Sequence, residues 1–341
     1  MNSKVKDGIN YIGKLIRGKR LFNAIQLVLS YLISRIVRRP IHWGMPLSIS
    51  IEPTTSCNLR CPECPSGLRS FTRPTGMLTE ELFAKVIDEQ KSTLSYLLFY
   101  FQGEPYLHPQ FLDLVNVASK AKVYTATSTN AHYLNDENAK KTIESGLDRL
   151  IISIDGTTQE TYESYRVGGK LDKVIEGTRN IVKWKKEFKS STPYIIFQFL
   201  VVKPNEHQIQ EVYNMADELG VDEVKLKTAQ IYDYEDGSDL MPTIDKYSRY
   251  RRKADGRYEI KSKLLDHCWK MWHSCVITWD GKVVPCCFDK DAHYTLGAVG
   301  EVTLSSVWNS NEYEEFRKLL LKSRKEIDMC TNCTEGTAVW A

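Results

Sequence analysis

Three things are scarce in this 341-residue sequence, and each scarcity removes a class of protein. Apolar runs are short. The stretch Leu21 to Ile33 is interrupted by polar residues and falls short of the ~20 apolar residues that a membrane span needs. No small-residue cleavage site follows it, which argues against a signal peptide. Positive charge is scarce once the first forty residues are set aside. Through Pro40 there are nine Lys or Arg against Asp7 alone, about +8, so a whole-chain net charge of +3 leaves about −5 for the rest. Such a body offers no general polyanion surface, and no nucleic-acid partner is expected. Pairing partners are scarce too. Nine cysteines cannot all pair off in a disulfide framework.

What is present is Cys57-Asn58-Leu59-Arg60-Cys61-Pro62-Glu63-Cys64, just after the alternating stretch Leu47–Ile51, which reads as a strand. Spacings of three and then two residues let one loop fold its thiolates around a single [4Fe–4S] cube, which normally takes four cysteines. Only three are offered, so one iron stays open for chemistry. A structural zinc would need a fourth ligand. Apart from His42, no histidine or further cysteine lies within about forty residues of the loop.

At these residues the chain resembles the radical SAM superfamily, whose hallmark is CxxxCxxC at the end of the first barrel strand. The resemblance implies that Cys57, Cys61 and Cys64 hold a [4Fe–4S] cluster whose open iron is chelated by S-adenosylmethionine. It also implies reductive cleavage to a 5′-deoxyadenosyl radical that abstracts hydrogen from a substrate. One departure is Glu63, where many members carry an aromatic residue near the adenine.

Composition, 42% hydrophobic and 26% charged, suits a soluble chain with one large domain and one small one. From Pro46 to about Lys227, strand-like runs (Leu47–Ile51, Leu97–Phe101, Lys122–Ser128, Arg149–Ile154, Ile195–Val201, Glu223–Lys227) alternate with helical ones. This predicts an α/β fold with a parallel sheet, and the resemblance makes it a partial (β/α)6 TIM-like barrel. The expected organisation is a basic amphipathic extension (1–45), the barrel (46–232), a linker or lid (233–262) and a cysteine-rich α+β domain (263–341).

Parallel α/β sheets place chemistry at the C-terminal ends of their strands. The second strand ends in Gln102-Gly103-Glu104-Pro105, where glycine permits close backbone approach and the acid can accept from a cation. It resembles the family's GGE motif at the methionyl amino group, with Gln102 in place of the first glycine. At the third tip, the hydroxyl of Ser128 suits ribose or substrate, or a helix cap. Ser153, in Ser153-Ile154-Asp155-Gly156, resembles an element near the nucleoside and is the better ribose contact. Arg166, in Tyr165-Arg166, matches a segment that pairs the methionyl carboxylate in relatives; the alternative is a helix-surface ion pair. Lys227, Tyr232 and His108 lie near strand ends, and none is singled out as a proton acceptor.

Six more cysteines follow His267: Cys268, Cys275, Cys286, Cys287, Cys330 and Cys333. Val276–Pro285 reads as a β-hairpin with an Asp-Gly turn that brings Cys275 and Cys286 towards each other. This segment resembles the SPASM/twitch domains appended to radical SAM enzymes, through Cys268, Gly281-x₄-Cys286, Gly297, Val307-Trp308-Asn309 and Cys330-x₂-Cys333. The resemblance implies an auxiliary [4Fe–4S] cluster on Cys268, Cys286, Cys330 and Cys333, in a one-cluster, twitch-like form; a structural zinc there is the competing reading. Cys275 and Cys287 stay unassigned. In an extended chain, adjacent Cys286 and Cys287 would point to opposite sides.

The expected function is a radical oxidation in which the auxiliary cluster accepts an electron. The alternatives are radical cross-linking of a peptide and a non-enzymatic metal-binding protein at a membrane. The implied partners are a small-molecule or peptide substrate and a flavodoxin- or ferredoxin-like electron donor. The basic N-terminal segment suits either a helix on an anionic membrane surface or one docked on the domain with its charge in water. Clusters and thiolates imply a reducing cytoplasm, with the inner membrane face as the site of any peripheral contact.

Overall fold

A computed structural model describes residues 2–337 of the chain. Two helices come first, α1 (Ser3–Leu15) and α2 (Arg20–Val37). Then β1 (Ser48–Ile51) leads through the cysteine loop to a single turn, α3 (Pro65–Leu68), and to α4 (Glu80–Gln90). Next come β2 (Tyr96–Phe99), α5 (Phe111–Lys120), β3 (Tyr124–Thr129), α6 (Asp136–Glu144), β4 (Arg149–Ser153), α7 (Gln159–Tyr165), α8 (Leu171–Glu187), β5 (Tyr194–Val201), α9 (Ile209–Leu219) and β6 (Glu223–Thr228). All six strands are parallel and ordered β1 to β6, in the register Ile51↔Phe99↔Thr127↔Leu150↔Ile195 across the first five. Their outer face, covered by helices, is largely apolar, while the inner face also carries polar groups, Ser48 and Ser50 on β1, Ser128 on β3 and Lys227 on β6. Ile49, Leu97, Ala126, Leu150 and Phe197 are fully buried. Each predicted strand is present, with ends shifted by no more than two residues.

The sheet does not stop at the barrel. After the two-stranded ribbon β7 (Tyr250–Arg252) and β8 (Tyr258–Ile260) and the turn α10 (Lys270–His273) come β9 (Ser274–Ile277) and β10 (Val283–Val284). Strand β9 pairs in parallel with β1, Ser48↔Ser274 to Ile51↔Ile277, and β10 runs antiparallel to β9. The result is one open eight-stranded sheet with β10 and β6 at its edges. The cysteine-rich region is thus fused to the barrel through the strand that carries the first cysteine loop. Gly281 in the predicted Asp-Gly turn has φ +86°, and a Cβ there would sit 2.5 Å from the Val299 carbonyl oxygen. The segment closes with α11 (Leu304–Trp308), α12 (Asn311–Lys322) and α13 (Asp328–Thr331).

The stretch expected as linker or lid is built into the structure. Tyr234 stacks on Tyr250, with ring centroids 4.5 Å apart, and the buried Tyr250 hydroxyl joins the Ile231 backbone to Asn332 Oδ1 at 2.9 Å. It ties the end of β6 to the last cysteine pair.

Helix α1 docks against the N-terminal ends of the strands. Asp7 accepts from the Tyr124 hydroxyl and from Arg149, Lys14 pairs with Asp148 at 2.6 Å, and Lys4 with Glu223 at 2.6 Å. Buried Arg20 donates to the carbonyls of Lys14, Lys91 and Ala121 at 2.8–3.0 Å. Docking is therefore observed, but with part of the basic charge turned inward rather than to water.

The cysteine loop is fixed from behind by Glu52, which receives both terminal nitrogens of Arg73 at 2.8 and 2.6 Å and the Trp279 N–H at 3.2 Å. Both partners of this ion pair are buried. Glu52→Ala leaves Arg73 charged without its partner and should cost ~3–5 kcal/mol. Thermal unfolding should show this as a clear loss, partly restored by adding Arg73→Met.

Candidate active site

Every residue expected at the first cluster and at S-adenosylmethionine lines one cleft at the C-terminal ends of the strands. Cys57, Cys61, Cys64, Gly103, Glu104, Ser128, Ser153 and Arg166 share a cavity of about 310 Å³. The loop is held by short local contacts. Gly103 has φ +74°, and a Cβ there would lie 2.2 Å from the Thr54 carbonyl oxygen, so glycine is required on both counts; its N–H donates to Ser66 Oγ at 2.9 Å. Asn130 Nδ2 donates to Asn58 Oδ1 at 2.8 Å, and the Arg60 N–H to the Val167 carbonyl at 3.0 Å. Burial pushes the Cys57 thiol up to about 12 and raises Cys61 as well. Their deprotonation therefore has to be driven by the metal they bind.

The polar residues divide into committed and available groups. Glu104 accepts from Thr129 Oγ1 (2.7 Å), the Asn130 N–H (2.8 Å) and the Tyr106 N–H (3.3 Å). Burial raises its carboxyl to about 7 against these bonds. A cation placed against it would pull it back down. Arg166 is neither free nor on the helix surface: its Nε donates to buried Asp155 at 2.5 Å and its Nη1 lies 3.8 Å from Cys61 Sγ. Ser128 and Ser153 bring their hydroxyls within 3.5 Å of each other, a pair of adjacent strand-tip groups suited to a diol.

Of the three residues near strand ends, only Lys227 lines the cleft. His108 is turned away, with Nε2 at 2.7 Å from the Leu78 carbonyl and Nδ1 accepting from the Gln110 N–H. The Tyr232 N–H donates to Glu63 Oε2 at 3.0 Å, and its ring lies 4.7 Å from Lys290 Nζ. Glu63 thus pins the cysteine loop to the chain beyond β6.

The four cysteines expected at the second centre come together. Cys268, Cys286, Cys330 and Cys333 line one small cavity that contains neither Cys275 nor Cys287. Cys275 is buried in β9, and burial pushes its thiol up to about 12. Cys286 lines that cavity while Cys287 stands exposed outside it, although strand alternation is not the cause. The chain enters a turn there, with the Asp289 N–H bonded to the Cys286 carbonyl at 3.1 Å. Extended-strand alternation therefore does not describe the pair. The neighbouring Cys286 thiol, aided by the Lys270 ammonium 4.0 Å from Cys287 Sγ, lowers the pKa of exposed Cys287, and Cys287 in turn raises that of Cys286.

Sequence reasoning missed Arg324. It is 1% exposed, donates from Nη2 to Cys333 Sγ at 3.1 Å and to the Glu335 carbonyl at 2.7 Å, and leaves Nε and Nη1 without partners among the described residues. A buried guanidinium among four thiols, with two unsatisfied nitrogens, fits a net-negative metal–thiolate centre. Arg249 and Lys290, also in the first cleft, were missed too. Each is a single basic residue with no spacing signature.

Three cysteines at a barrel mouth and four more gathered in a fused C-terminal segment are the donor sets of an iron–sulfur enzyme. The chain belongs to the radical SAM superfamily, whose model matches residues 51–216, and it carries a SPASM iron–sulfur cluster-binding domain over residues 268–334. It accordingly takes S-adenosylmethionine, a [4Fe–4S] cluster and auxiliary iron–sulfur chemistry. It is 28% identical over 317 residues to the tungsten-containing aldehyde ferredoxin oxidoreductase cofactor-modifying protein of Pyrococcus furiosus, covering 83% of this chain and 86% of that one. It is 25% identical over 283 residues to the PqqA peptide cyclase of Gluconobacter oxydans, covering 77% and 76%. Among solved structures, Streptococcus suis SuiB bound to S-adenosylmethionine shares the fold at TM-score 0.62 and 14% identity, over 86% of this chain and 73% of that one.

Proposed function

We propose that this enzyme removes two hydrogens from an anionic organic substrate, one as a hydrogen atom and the second as a proton and an electron. When bound, the first cluster with S-adenosylmethionine supplies the hydrogen-abstracting radical, and the auxiliary cluster supplies an electron acceptor. The observation that carries the reading is the placement of Glu335, which lines both the first cleft and the four-cysteine cavity. A substrate in that cleft is therefore next to the wall of a centre whose four cysteines leave no iron free for it.

The cleft lining supports an anion. Lys227, Arg249 and Lys290 all face it. Arg249 Nε is held by the Thr228 carbonyl (3.1 Å) and hydroxyl (2.9 Å), while Nη1 is buried without a partner. Of the three acids there, Glu104 is held by Thr129 and two backbone N–H groups, Glu335 is taken by Lys270 at 2.6 Å and Glu63 by the Tyr232 N–H. Burial lowers the Lys290 pKa, which suits a lysine that takes up the departing proton.

The test incubates anaerobically reconstituted enzyme, reductant and S-adenosylmethionine with anionic small molecules and, separately, with peptides. A small anionic product lighter by two hydrogens, formed with one 5′-deoxyadenosine each, is the expected result. An internally cross-linked peptide as the sole product would replace this reading with peptide maturation. That second reading is supported by the likeness to a peptide cyclase.

A further inference from the structure

Helices α1 and α2 each bury one face against the protein and leave the other bare. On α1, Val5, Ile9, Ile12 and Ile16 are each at least half exposed. On α2, Phe22, Ile25, Leu29 and Ile36 form a second stripe, with Phe22 64% and Ile36 81% exposed. Spacings of three, four and seven place each set on one side of its helix. Both stripes lie within the most basic part of the chain. The ion pairs made by α1 use Lys4, Lys14 and Asp7. Lys6, Arg17, Lys19, Arg35, Arg38 and Arg39 are exposed and in no ion pair among the described residues, although Arg38 reaches the Asp266 carbonyl and Arg35 lies over the Tyr31 ring. Beside the end of α2, Leu32 and Ile36 line a groove of about 430 Å³ together with Arg35, Arg38, Asp266 and His267, so apolar walls and two guanidiniums meet in one place, with a single acid among them.

We infer that the outer faces of α1 and α2 bind the surface of an anionic lipid bilayer. The stripes enter the boundary between headgroups and acyl chains, and the basic residues meet lipid phosphates. Crossing the bilayer is ruled out by the other face of α2. Arg20 and Asn23 are buried there on backbone partners, and Tyr31 packs between Trp269 and Trp272 with its hydroxyl 2.8 Å from His267 Nδ1. The helix therefore lies in the plane of the surface. A second copy of this chain fits the patch poorly, because it would set two strongly basic segments against each other. Docking of α1 on the N-terminal ends of the strands keeps the cleft at their C-terminal ends clear of the surface.

Co-sedimentation of the full reconstituted protein with vesicles tests this directly. Phosphatidylcholine vesicles carrying about 30% phosphatidylglycerol should bind it at least ~10-fold more tightly than phosphatidylcholine alone, with the difference shrinking at high salt. F22S/I25S/L29S and R35E/R38E should each lose that binding while iron content and melting temperature stay unchanged. No preference for anionic vesicles overturns the inference. So does a dimer in solution that the F22S/I25S/L29S variant abolishes, which would assign the patch to a second copy.

Discussion

Protein carrying Cys57→Ala, Cys61→Ala and Cys64→Ala together is expected to retain about half of the wild-type iron, ~4 rather than ~8 atoms per chain. It should form no 5′-deoxyadenosine. The expectation rests on two separate cysteine cavities, one with Cys57, Cys61 and Cys64 and the other with Cys268, Cys286, Cys330 and Cys333. Emptying the first leaves the second with all its ligands. Folding should survive, because the loop is held by Glu52–Arg73, Gly103–Ser66 and Asn130–Asn58 contacts rather than by the thiols. Iron and sulfide analysis beside a melting curve checks it. A variant left with one zinc and no iron would reject the auxiliary assignment.

The converse variant, Cys330→Ala with Cys333→Ala, should also fall to about four irons but keep reductively triggered 5′-deoxyadenosine formation. Radical generation and its electron outlet are thereby separated: S-adenosylmethionine is consumed while substrate oxidation is lost. A structural cost accompanies the loss. Arg324 keeps its charge but loses Cys333 and the metal–thiolate centre beside it. Two nitrogens already lack partners, so the variant should melt well below wild type by several kcal/mol of stability. Cys275→Ala and Cys287→Ala should keep all the iron, because neither residue lines the four-cysteine cavity. Loss of half the iron from either would mean that the ligand set has been misassigned.

What the sequence made legible is what short-range spacing encodes. The cysteine loop, the Gly103-Glu104 turn, the Asp-Gly hairpin and the six strands are each written within ten residues. The pairing of β9 with β1 joins residues 48–51 to 274–277, and no local pattern marks it. It brings the auxiliary region against the first cluster loop. Arg324, Arg249, Lys290 and Glu335 went unnoticed for the same reason: each acts through neighbours distant in the chain. Cys286 lines the four-cysteine cavity and Cys287 does not, but a turn starts where extended chain was assumed, so the cause differs. Arg166 was read as meeting a carboxylate or forming a helix-surface ion pair, and the fold commits part of it to buried Asp155. Only a fold that sets Asp155 beside Arg166 shows this.

The central claim is that the three-cysteine loop and its cleft cleave S-adenosylmethionine reductively. Its most direct measurement is 5′-deoxyadenosine formed by anaerobically reconstituted wild-type protein after addition of a low-potential reductant. The account predicts product from the wild type and from the Cys330/Cys333 variant, and none from the Cys57/Cys61/Cys64 variant. No product from wild type whose clusters are intact by iron and sulfide content would contradict it.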